Sequence, residues 1–172
     1  YPGREIFDLW KHFKRVEIAF SIDDVGEQFE YQRHPANWRE VNYNVNQFKI
    51  YQTANMEFQI CTTISIFNVF SLAKIALWVR QFDPKFFYVN TCFDPDYFNI
   101  QTLPKQIKNI VNSRYSDLND FKPTLRFMNS AHRDSREIQK QRKERILQTD
   151  KYREENFGDV FPLLNKVLQI YG

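Results

Sequence analysis

At 172 residues the chain is the size of one ordinary domain, and 17% aromatic content, with 17 Phe, supplies ample apolar area for a core. Its four glycines, Gly3, Gly26, Gly158 and Gly172, leave no Gly-rich loop to cradle a nucleotide phosphate. The balance of 24 basic against 21 acidic residues, net +3, exerts little pull on nucleic acid. In chain order, the stripe Ile6-Leu9-Trp10-Phe13 predicts the tail of a helix entering a first strand, Arg15 to Ile22. There Val16, Ile18, Phe20 and Ile22 alternate. After His34-Pro35, residues 36–51 place Trp38, Val41, Val45 and Phe48 on one helical face. A second strand is predicted over Glu57 to Ser65, where Phe58, Ile60, Thr62 and Ile64 alternate with Gln59, Cys61 and Thr63. Ser71 suits the N-cap of the next helix, whose apolar stripe is Leu72, Ile75, Ala76 and Val79. The third strand is Phe86 to Cys92, rich like the others in residues that favour a pleated surface.

Strands separated by helices of this length pair in parallel through right-handed crossovers. The pattern is therefore two βαβ units, entered in mid-pattern. Beyond Cys92 it stops. A loop over 93–102 leads to a helix opened by Pro104 and running to about Asn112. A charged, mostly exposed helix is predicted from Asp134 to about Gln148, and a short last helix starts at Pro162. The expected architecture is α/β, a partial parallel (β/α) barrel of about three strands over 1–112. A helical C-terminal extension, 113–172, packs on it.

No apolar run approaches the ~20 residues of a membrane span. The opening Tyr1-Pro2-Gly3-Arg4-Glu5 is no signal peptide. Cys61 and Cys92 supply neither a disulfide framework nor a multi-cysteine metal site. A cytoplasmic location is the default expectation, and the lack of an initiator Met leads us to expect chain upstream of Tyr1. In parallel α/β folds ligands sit at the C-terminal ends of the strands. The polar residues there are Ser21, Asp23, Asp24, Glu27 and Arg33 after the first strand, and Thr63, Ser65 and Asn68 after the second. Cys92, Asp94, Asp96 and Tyr97 follow the third. Ser21 and Asp23 could equally satisfy loop backbone groups, Asn68 and Ser71 be only turn and cap residues, and Arg33 form an ion pair with Glu27 or Glu30. Cys61, within a strand, reads as core filling.

Ser21-Ile22-Asp23, followed by Glu27 and Arg33, resembles the Ser-(Ile/Leu)-Asp segment on the fourth strand of radical S-adenosylmethionine (SAM) enzymes, above all the SPASM/twitch group. That group usually has Gly where this chain has Asp24, which puts the local turn in question. The run Gln59 to Asn68 resembles the group's fifth strand with its Thr-x-x-x-x-Asn pattern. Tyr97 to Pro104 and Tyr152 to Pro162 resemble tails of twitch-type proteins from phage-like genomes. The resemblance implies that Ser21 and Asp23 face the ribose of SAM, with Arg33 and Asn68 near its methionine or substrate end. Thr63 and Ser65 complete the implied cofactor-binding set. It also implies a [4Fe–4S] cluster held by Cys-x-x-x-Cys-x-x-Cys, whose electron cleaves SAM. That motif, the Gly-Gly-Glu-Pro segment and the twitch cysteines are absent from these 172 residues, so the cluster-binding strands would lie upstream of Tyr1.

The expectation is thus the C-terminal half of a radical SAM enzyme, without a cofactor of its own and inert alone. Its missing half or a partner chain would complete the barrel. An exposed sheet edge or inner face would meanwhile favour a homodimer. The alternative is a non-enzymatic binding module for RNA or a protein partner, using Arg133, Arg136, Lys140, Arg142, Lys143 and Arg145. Interleaved Asp134, Glu137 and Glu144 favour an ion-paired, solvated face instead, and no aromatic stacking platform is apparent beside them. A hydrolytic reading through Asp23, Asp94, Asp96 and a His among His12, His34 and His132 lacks ligand spacing.

Overall fold

Apolar residues at every second position make the strands, and stripes at helical spacing make the helices between them. The computed structural model describes residues 3–171. Among them the order is α1 (Arg4–Trp10), β1 (Val16–Ser21), α2 (Glu27–Gln32), α3 (Trp38–Tyr51), β2 (Met56–Ile64), α4 (Leu72–Phe82) and β3 (Phe86–Thr91). There follow α5 (Lys105–Tyr115), α6 (Lys122–Ser130), α7 (Arg136–Arg153), α8 (Phe157–Val160) and α9 (Pro162–Leu168). Single 3-10 turns cover Asp96–Phe98, Ile100–Thr102 and Asn119–Phe121. The three expected strands are present to within a residue. Both crossover helices are present, the first starting at Trp38 rather than residue 36, and the helix after Pro104 runs on to Tyr115 rather than ending near Asn112. The short α2, α6 and α8 were not expected.

The sheet has the order β1-β2-β3. β1 and β2 are parallel, from Val16 opposite Met56 to Ser21 opposite Cys61. The amides of Lys85 and Cys92 donate to the carbonyls of Phe58 (3.0 Å) and Ile64 (2.8 Å), so β3 advances in the same sense as β2. The fold is therefore α/β with an open, all-parallel three-stranded sheet. Along β2, Met56, Phe58, Ile60, Thr62 and Ile64 are buried, while Glu57, Gln59, Cys61 and Thr63 are half-exposed. The register sets exposed Glu17, Ala19 and Ser21 beside Glu57, Gln59 and Cys61. Parallel sheets are ordinarily covered on both faces. This one leaves a face open.

The chain divides into two compact units, Tyr1–Thr62 with Lys74–Tyr88, and Thr63–Ala73 with Val89–Gly172. In the first, Phe48 lies at the centre of the core, its ring 5.4 Å from Phe58, 5.9 Å from Phe20 and 6.1 Å from Phe7. Asn37 caps α3 by accepting the Glu40 amide, 3.1 Å. The buried indole of Trp78 donates to Asn42 Oδ1, 2.9 Å, which satisfies its one polar atom. In the second unit Ile107 and Val111 of α5, Leu125 and Met128 of α6, Ile146 of α7 and Phe157 are all buried. α7 is mostly exposed, as its charge predicts, except for a seam at Arg142, Ile146 and Asp150, four residues apart. No helix among the described residues is long and apolar enough to cross a membrane.

Candidate functional site

The residues after β1 are held tightly by their own backbone. Ser21 ends the strand with its side chain exposed on the open face, opposite Cys61. Ile22 turns inward, its amide donating to Cys61 O (2.8 Å) and its carbonyl accepting Thr62 Oγ1 (2.6 Å). Asp23 pairs with Arg33, the residue just past α2, at 2.7 Å between Oδ2 and Nε. Its partner is thus Asp23 rather than the Glu27 or Glu30 suggested by proximity in sequence. Glu30 Oε1 instead accepts the Trp38 amide at 2.7 Å, at the start of α3.

Asp24 stands where the group that this segment resembles usually has Gly. It is fully buried, and its Oδ1 accepts the Val25 amide at 2.8 Å. The positive φ of this turn, +69°, falls on Gly26. Asp24 is not among the described residues with positive φ. Aspartate therefore sits in ordinary backbone, and the demand for glycine is met two residues later. Lys74 of α4 pins the turn by donating to Val25 O (3.1 Å) and Gln28 Oε1 (2.8 Å).

The residues at the end of β2 form a second, separate group. Asn68 is fully buried, its Oδ1 accepting the Ser65 amide and its Nδ2 donating to Thr63 O, both at 2.9 Å. Ser65 is also buried, and its Oγ accepts the Phe67 amide at 3.2 Å. Thr63, Ser65 and Asn68 are thus brought together, through bonds that shape their own loop. Thr63 is half-exposed.

After β3, Cys92 Sγ donates to Asp94 O at 3.4 Å and Asp96 pairs with Arg133 at 2.6 Å. No group of three or more His, Cys, Asp or Glu among the described residues is placed to hold a metal ion. The segment that follows is gripped by two buried cations that sequence patterns do not reveal. Lys108 donates to Gln101 O (2.8 Å) and Ala131 O (2.7 Å). Arg142 donates to Tyr97 O (2.9 Å) and to the carbonyl and hydroxyl of Thr102. Burial lowers the pKa of both side chains, against the opposing field of Asp134. Arg142 therefore does not belong to an exposed basic face.

At the other end of the open sheet face the Lys85 hydrogen bond, helped by Arg15, holds the Glu57 carboxyl below the ordinary carboxylate range. A groove of about 750 Å³ in the first unit is lined by Arg4, Phe7, Arg39, Tyr43 and Tyr51 among others, and by none of the expected site residues.

Ser21 and Asp23 offer a hydroxyl and a carboxylate two residues apart, a set suited in kind to a ribose diol. An iron–sulfur cluster does not fit. The cluster that the resemblance implies needs at least three thiolates, whereas this sequence has two cysteines, on β2 and just after β3. Comparison with known proteins finds no matching family model, no matching curated protein and no matching solved structure.

Proposed function

We propose that this chain is the SAM-facing part of a radical SAM-type barrel, a partial (β/α) barrel that is inert without a cluster-bearing half. The observation that carries the reading is the end of β1. Ser21 is exposed on the open face of a parallel sheet, and the Asp23–Arg33 ion pair follows directly. In this reading Ser21 and Asp23 hold the ribose and Arg33 orients Asp23. Asn68 and Ser65 fix their own loop, at Thr63. The open face would be covered by the missing half or by a second copy of this chain.

The test is a backbone NMR titration of the chain with millimolar SAM and, separately, S-adenosylhomocysteine. Weak binding is expected, with shifts confined to Ser21 through Gly26 and Arg33. Asp23→Asn should remove them. No shift under saturating ligand, or shifts confined to other segments, would reject the reading.

A further inference from the structure

The C-terminal half of α7 carries a surface that the SAM reading does not use. Residues 145, 148, 149 and 152 follow the i, i+3, i+4, i+7 spacing of one helical face, with Lys151 and Arg153 on either side. Arg145, Gln148, Thr149, Lys151, Tyr152 and Arg153 together line an open groove of about 660 Å³. No carboxylate is in that lining. Among the described residues neither Arg145 nor Lys151 is in an ion pair; Arg145 only approaches Gln148 Oε1, at 3.3 Å. Arg153 lies 3.9 Å from Glu155. Tyr152 is 88% exposed, the highest value among the exposed large apolar and aromatic side chains. An aromatic ring left in water at such a position offers a π-face that the protein does not cover.

We propose that this face binds single-stranded nucleic acid. Arg145, Lys151 and Arg153 would lie along the phosphates, and a base would stack on Tyr152. The charges alone would suit any polyanion. The uncovered ring is what favours a nucleic acid over an acidic peptide, because bases stack on an aromatic side chain whatever their sequence. Chain-wide charge is close to balanced, so the attraction is local to α7. It also differs from a surface built on every basic residue of the helix, since Arg142 is buried and Lys140 lies 3.9 Å from Glu144.

The experiment is fluorescence anisotropy of labelled single-stranded oligonucleotides against the intact chain at several salt concentrations. Three contacted phosphates give a log–log salt slope of about −2, at about −0.7 each for single strands. Tyr152→Ala should weaken binding by roughly tenfold, whereas Tyr152→Trp should preserve it. The exposed Tyr43→Ala serves as a control and should change nothing. Because Tyr152 is solvent-exposed, its substitution leaves the fold intact, as circular dichroism would verify. Three outcomes overturn the proposal: no binding at low salt, binding that Tyr152→Ala leaves unchanged, or equal, Tyr152-dependent binding of an oligoglutamate peptide.

Discussion

Arg142 and Thr102 are joined twice: one guanidinium nitrogen, Nη2, reaches the Thr102 hydroxyl at 2.7 Å and the Thr102 carbonyl at 3.1 Å. The Nε of the same side chain reaches Tyr97 O, and the whole residue is 1% exposed. One planar fork thus satisfies three acceptors in a dry setting, which a single ammonium cannot reproduce.

Arg142→Met should therefore destabilise the chain. Stranding a buried acceptor costs about 1–3 kcal/mol, and release of a desolvated cation offsets part of the sum. A net loss of about 2–4 kcal/mol is expected in urea unfolding. Arg142→Lys should recover less than half of it.

Asn68 gives a graded test of a residue whose side chain closes its own loop. Asn68→Asp keeps the acceptor for the Ser65 amide but removes the donor to Thr63 O. Asn68→Ala removes both. A loss of about 2 kcal/mol is expected for Asn68→Ala, and a larger one for Asn68→Asp, which buries a carboxylate against the Thr63 carbonyl, again by urea unfolding. Equal stability for all three forms would mean that the loop does not depend on this amide.

Tyr171 makes a prediction about alkaline pH. Burial, together with a 2.5 Å hydrogen bond to the buried Asp150 and the nearby charge of Asp159, pushes its phenol up to about 12 from an ordinary value of 10.0. A raised folded-state pKa means that the protonated phenol is favoured on folding. This stabilisation is complete below about pH 10 and is lost as pH rises through about 12. Unfolding curves of the wild type and Tyr171→Phe should converge across that window. An ultraviolet difference titration of the two should show a phenol ionising near 12.

The open sheet face and the strand edges predict self-association, with a second copy of this chain as the proposed partner. Sedimentation at rising concentration should show a dimer, and Ala19→Lys on the open face should weaken it. A clean monomer at high concentration would count against the half-barrel reading.

The parts of the fold that could be read from sequence are those with long, clean periods. Phe58, Ile60, Thr62 and Ile64 mark β2 by strict alternation, and Leu72, Ile75, Ala76 and Val79 mark α4. Segments of one or two turns carry too few residues to show a period, so α2 and α8 passed unnoticed. In α6, Pro123 in the first turn reads equally well as a loop residue. At the strand ends the residue types were legible but their partners were not. Nothing in the spacing told that Arg33 would choose Asp23, and the turn reading of Asn68 did not say that both ends of its amide would bond its own loop. Arg142 was misread because a charge in a charged helix looks solvated until its neighbours are known.

Lys108 and Arg142 grip main-chain oxygens at Tyr97, Gln101, Thr102 and Ala131. Every residue type carries that oxygen, so the grip sets no requirement on the side chains at positions 97 and 131. Selection acting on this anchor would keep the two cations and let those letters drift. A relative could then retain the same joint between α5 and α7 while sharing almost none of the intervening spelling.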